Sequence, residues 1–140
     1  MSGLPTPGQA GATAPALDFA AGLERVMGEQ AMYLRVLTRF RSDYADNADR
    51  LRAALALGDL VLAQRIAHTL KGAAAMIEAR GLRALAMDVE QGLRSGAGTD
   101  PRLVDGLEVE LAQVMAQVDQ HLAAAAFDVE RALAARPSHT

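Results

Sequence analysis

Ala67-His68-Thr69-Leu70-Lys71-Gly72 sits in the middle of an apolar-periodic segment that runs from Asp59 to Ala79. Projected at about 100° per residue, this segment separates into two faces. Leu62, Ile66, Leu70, Ala73 and Ile77 form one stripe, as expected of a helix with one side in a core. His68 lies almost opposite that stripe, and Val61, Gln64, Arg65, Lys71, Gly72 and Ala75 are its nearest neighbours on the same side. The spacing therefore predicts an imidazole held out in water.

A glycine inside a strongly helical run costs about 1 kcal/mol relative to alanine, so Gly72, one turn after an exposed histidine, needs a reason. Removing the side chain there opens a way for another protein's backbone or a bulky substituent to approach the ring. Lys71, three positions after His68, shares its face, where an ammonium lies close to any anion carried on the imidazole. A lone exposed histidine with a lysine three residues on is commonly an inert solvated face. Together with the gap at Gly72, the pair suggests a phosphate-carrying imidazole.

The rest of the chain reads as helices around this one. Asp18 caps a short helix bearing Phe19, Leu23 and Val26, ended by Gly28. From Glu29 the residues Tyr33, Leu37, Phe40, Tyr44, Ala48, Leu51 and Leu55 recur at three- and four-residue steps, predicting one long amphipathic helix to about Leu57. Gly58 breaks it and Asp59 caps the histidine helix. Arg80-Gly81 is expected to make the next tight turn, followed by a helix with Leu82, Leu85, Ala86, Val89 and Leu93 and a loop at Ser95-Gly96-Ala97-Gly98. Asp100-Pro101 is a cap followed by a first-turn proline, and Leu103, Leu107, Leu111, Val114, Val118, Leu122 and Ala125 mark the last core helix. Long amphipathic segments joined by short turns predict an all-α fold, an up-and-down antiparallel four-helix bundle with a short additional N-terminal helix. Residues 1–16, rich in Gly, Pro and Ala, read as a flexible leader or linker, 17–126 as the bundle, and 127–140 as a helical extension or frayed tail.

Composition narrows the function. The 140 residues suit a single domain, and with 51% hydrophobic but only 4% aromatic residues its core must be aliphatic and alanine-rich. There is no cysteine, which excludes disulfides and thiolate metal sites. His68, His121 and His139 match no metal-ligand spacing, so no metal site is expected. A net charge of -3 with interleaved acids and bases argues against nucleic acid. No apolar run approaches the ~20 residues of a membrane span, and no signal-like N-terminus is present, which predicts a cytoplasmic protein with no membrane insertion.

Taken with its flanks, Ala67-His68-Thr69-Leu70-Lys71-Gly72-Ala73-Ala74, followed by Leu82, Leu85, Ala86, Val89, Glu90, Leu93 and Arg94, resembles the histidine-containing phosphotransfer (HPt) domain family. So does the run from Asp18 to Val26 with Tyr33, Leu37 and Phe40 after it, and the resemblance covers roughly residues 17–122. It implies a phosphorelay intermediate in two-component signal transduction: His68 accepts a phosphoryl group on Nε2 from a receiver-domain aspartate and passes it to another. The implied partners are response regulator receiver domains and a hybrid sensor histidine kinase, with the chain itself a monomer. No Gly-x-x-x-x-Gly-Lys-Ser/Thr loop or other nucleotide-binding pattern occurs, so the chain is expected to carry phosphate without ATP-dependent kinase activity. No cofactor of its own is expected, because no carboxylate cluster flanks His68 and the receiver would bring the Mg²⁺.

An orienting hydrogen bond to Nδ1 would make Nε2 the nucleophile. The resemblance puts the acceptor on the following helix, where Glu90 matches and Gln91 is the alternative. Lys71 would offset phosphate charge, Gly72 would give steric access, and Val61, Gln64, Arg65 and Ala75 would form the receiver-docking surface, extended by Leu60 and the second helix. Where many members carry Gly-Asn-Ile-Gly-Ala, this chain has Ala75-Met76-Ile77-Glu78-Ala79, so the turn is expected to move from position 78 to Arg80-Gly81. Two other readings fit the pattern: a non-catalytic helical module that docks a receiver or kinase, and a structural bundle whose long last helix pairs with another chain.

Overall fold

A computed structural model describes residues 16–135. Among them are six helices: α1 (Phe19–Arg25), α2 (Gln30–Tyr44), α3 (Asn47–Ala56), α4 (Leu60–Met76), α5 (Arg80–Arg94) and α6 (Pro101–Ala134). No strand forms among the described residues. The starts follow from local chemistry: the carboxylates of Asp18, Asp59 and Asp100 accept hydrogen bonds from the amides of Ala21, Leu62 and Arg102, and Pro101 occupies the first helical position.

Four sides close into a bundle. α4 packs between α3 and α5, α5 packs on α6, and α6 returns against α2 and α3. α1 lids one end, its Phe19 ring stacked on His121 of α6 and edge-on to Tyr33 of α2. The core is aliphatic, with Leu37, Leu51, Leu70, Leu82, Leu107 and Val114 fully buried. Burying one such leucine contributes about 1.5–3 kcal/mol. Ala67 and Ala74 of α4 and Ala86 of α5 are fully buried in the most extensively packed pair of helices. Small side chains let two helix axes approach closely, and this brings a residue of α5 within reach of the histidine on α4.

Three expectations are corrected. The segment from Glu29 to Leu57 is two helices, because Asp46 leaves helical geometry at φ -98, ψ 10. Asp and Asn are poor helix-interior residues whose side chains compete for the backbone, and here they fall together as Asp46-Asn47. The buried stripe of α4 is also rotated by part of a turn and runs through Ala63, Ile66, Ala67, Leu70 and Ala74, leaving Leu62 and Ala73 only partly buried. Periodicity weighted large residues, whereas the interface selects small ones.

The third correction is the turn after α4. It stays at Ile77-Glu78-Ala79, and Arg80 and Gly81 already belong to α5. Glu78 itself takes the left-handed conformation, φ 62, that a glycine would adopt more easily. Arg25 pairs with its carboxylate, as does Arg80 at 3.3 Å, and the Arg25 hydrogen bond holds the Glu78 carboxyl below the usual carboxylate range.

At the ends of the chain, Ala16 packs against the core rather than belonging to a leader, and the Leu17 amide donates to Gln117 Oε1 at 2.9 Å. The leader proper, residues 1–15, and the tail after 135 lie outside the described residues. α6 has 34 residues against 17 in α4, about 51 Å against about 25 Å. It therefore overhangs the bundle, with Phe127, Val129 and Leu133 exposed.

One loop contact is tight enough to test. A Cβ added at Gly92 would lie 2.4 Å from the carbonyl oxygen of Gly98, whose amide in turn donates to Gly92 O at 3.1 Å. Because backbone cannot rotate away, Gly92→Ala is expected to destabilise by about 1–3 kcal/mol and lower the unfolding temperature by several degrees. Calorimetry checks this, and a wild-type melting temperature would refute the contact.

Candidate functional site

His68 stands on the exposed ridge of α4 with 63% of its side chain accessible. On the α5 side its Nδ1 lies 2.7 Å from Glu90 Oε2. Lys71 Nζ lies 2.7 Å from the other oxygen, Oε1, and Arg94 Nη2 lies 2.6 Å from Oε2. Glu90 is only 1% exposed and is one of two buried polar or charged residues among those described.

A buried carboxylate with three nitrogen partners has a settled protonation state. Burial pushes the Glu90 carboxyl up, but hydrogen bonds from Lys71 and His68, with the charges behind them, outweigh it and bring it below its ordinary value. Glu90 is thus ionised near neutrality and can only accept. Nδ1 must then be the donor, so that in the neutral form of the ring Nε2 is the nitrogen with a lone pair.

On its α2 side the ridge falls into a groove of about 710 Å³ between α2 and α4. Met32, Val36 and Phe40 line one wall and Gly72, Ala73 and Met76 the other, with Arg35 and Arg39 among the charged lining residues. Met32 and Met76 are exposed apolar side chains. A Cβ at Gly72 would meet nothing within 4 Å, so the missing side chain answers no need of this chain's own packing.

The structure brings together His68, Lys71 and Glu90. Gln91, the alternative hydrogen-bond acceptor, is exposed and lines a separate surface depression with Asp88 and Ser95. Val61 and Arg65 are exposed and Gln64 and Ala75 half-buried on α4, but none of the four lines the groove. Sequence reasoning missed Arg94 as a partner of Glu90, although the four-residue spacing is visible, and it extended the docking surface to the second helix without naming Met32, Val36 or Arg39 there. Nothing in a single sequence states which helices will be neighbours.

Comparisons with known proteins agree with this fold. The family model described as the Hpt domain matches residues 35–135. The fold is similar to a solved histidine-containing phosphotransfer protein B (HptB) from Pseudomonas aeruginosa PAO1, with TM-score 0.71 and 27% identity over 79% of this chain and 96% of that one. It is similar too to the HPT domain of an Hpt sensor hybrid histidine kinase from Shewanella, with TM-score 0.71 and 19% identity over 77% of this chain and 94% of that one. A comparison with curated proteins finds no match.

Proposed function

This chain belongs to the Hpt domain family, whose members carry phosphoryl groups on histidine in phosphorelays, and from that premise we propose that His68 is its phospho-accepting residue, loaded by one receiver-domain aspartate and unloaded by another. The observation that carries the reading is the exposed imidazole whose Nδ1 is engaged by an ionised, buried Glu90, 2.7 Å away.

The neutral ring attacks through Nε2. A nitrogen–phosphorus bond forms as the phosphorus–oxygen bond to the receiver aspartate breaks, and the carboxylate leaves with the electron pair. The proton on Nδ1 stays in place, so the ring gains positive charge as the bond forms. The hydrogen bond to Glu90 therefore strengthens on the way to the transition state, which is where an interaction accelerates a step. Lys71 offsets the charge of the phosphoryl oxygens, and Gly72 leaves room for the receiver's acidic pocket. Transfer to the next receiver is the same path reversed.

The chain acts in this reading as a cytoplasmic, monomeric phosphocarrier without ATP-dependent kinase activity. Its partners are response regulator receiver domains, one of them belonging to a hybrid sensor kinase. Mg²⁺ comes with the receiver: the Glu90 carboxylate bonded to His68 is already held by three nitrogens, and among the described residues no three His, Asp or Glu side chains gather as ligands. The receiver seats over the ridge and into the α2–α4 groove, with Met32, Val36 and Met76 as apolar contacts alongside Val61, Gln64, Arg65 and Ala75.

The test is a transfer assay against a panel of phosphorylated receiver domains, with and without chelator. At least one receiver is expected to load the chain stoichiometrically, giving an acid-labile, alkali-stable phosphohistidine in a Mg²⁺-dependent reaction. Absence of label from every receiver, with the chain folded, would reject the proposal.

A further inference from the structure

Glu90 has two oxygens and three partners, and they are divided unequally. Oε1 takes Lys71 alone, whereas Oε2 takes both His68 and Arg94. Lys71 is paired with Glu90 in this structure, and in the phosphotransfer reading a second anion, the phosphoryl group on Nε2, would claim it too. A buried carboxylate does not readily release a cation unless another remains, because an uncompensated charge in a dry site is strongly disfavoured.

The ring beside Glu90 turns cationic only as the nitrogen–phosphorus bond forms, whereas Arg94 supplies a charge that is present before, during and after loading. Arg94 lies one turn after Glu90 on the same helix, 2.6 Å from Oε2, with a side chain 60% exposed. From there it holds Glu90 on the oxygen that also receives Nδ1, and the His68 side chain stays 63% exposed. We propose that Arg94 is a positioning residue, the standing counter-charge of Glu90 that frees Lys71 to follow the phosphoryl group. This inference rests on the phosphotransfer reading above. The covalent step is unchanged: the nitrogen–phosphorus bond forms, the donor's bond to phosphorus breaks, and only the ammonium of Lys71 changes partner.

The experiment loads the full chain from phosphoramidate, a small donor that needs no docking surface. Arg94→Gln is expected to load about tenfold more slowly than wild type, and Arg94→Lys to recover to within about threefold, because charge at this site is what acts. The Nζ resonance of Lys71 is expected to shift on loading in wild type and to stay in place in loaded Arg94→Gln, a signature that lost packing alone does not produce. Glu90→Gln removes the buried charge and with it the need for Arg94. In that background Arg94→Gln is expected to change the rate by less than about twofold. The inference is overturned by Arg94→Gln loading at the wild-type rate, by an equal Lys71 shift in both proteins, or by a tenfold further loss in the Glu90→Gln background. Should Arg94→Gln fail to fold, the comparison of Glu90→Gln with the double variant decides alone. Wild type that never loads rejects the phosphotransfer reading itself, and a deficit confined to the Arg94 variants does not.

Discussion

His68→Gln is expected to abolish phosphorylation of the chain while leaving its thermal unfolding within about a degree of wild type, since exposed substitutions away from core features rarely exceed ~0.5 kcal/mol. The side chain makes one hydrogen bond, to Glu90 Oε2, and is otherwise in water. Glutamine at that position keeps an N–H donor within reach of Glu90, and Lys71 and Arg94 still compensate the carboxylate. What disappears is the nucleophilic ring nitrogen, for which an amide is no substitute. Within the described residues the other histidine is not a ready replacement: His121 stacks on Phe19 at 4.4 Å, and its Nε2 is buried. Radiolabel transfer with acid and alkali stability, run beside a thermal melt, checks both halves. Label retained at the wild-type level would move the acceptor elsewhere.

Gly72→Gln is expected to separate stability from activity in opposite directions. Outside its own stretch of helix, no atom lies within 4 Å of a Cβ placed there, so a side chain can start from this position without a clash. Replacing a helix-interior glycine by a good helix former contributes about 1 kcal/mol, which raises the unfolding temperature by roughly 3–5 °C. Yet the new side chain rises one turn from the imidazole, where the receiver's acidic pocket has to close. Phosphotransfer from a receiver should fall by at least about tenfold, the scale of a displaced near-attack geometry. Loading from phosphoramidate should stay near wild type, because a small donor does not need the space. Full receiver-driven transfer in Gly72→Gln would show that the glycine is not an access device. A lowered melting temperature would show that it serves this chain's own packing.

Much of the architecture is legible in the chain because it depends on local chemistry. The caps at Asp18, Asp59 and Asp100 need only a carboxylate two or three residues ahead of a free amide. Less legible are the places where short-range preference and packing compete. The break at Asp46 and the left-handed Glu78 both go against a simple reading, the first because a continuous period hides two weak helix formers. Glu78 does so because Arg25, 53 residues away, pairs with it in a conformation that the side chain alone would avoid.

The sequence by itself determined the all-helical class, the order of the main helical segments, and that His68 would face water with Lys71 and an empty position beside it, because these follow from a 3.6-residue period along one rod. Tertiary structure alone decided that Glu90 rather than Gln91 meets Nδ1, and which residues of α2 make the second wall of the groove. Those contacts link separate helices or depend on how α5 is rotated against α4, with His68 and Glu90 22 residues apart. Their geometry comes from how closely small buried residues let the helices approach, a property of the packed pair and not of either strand of sequence.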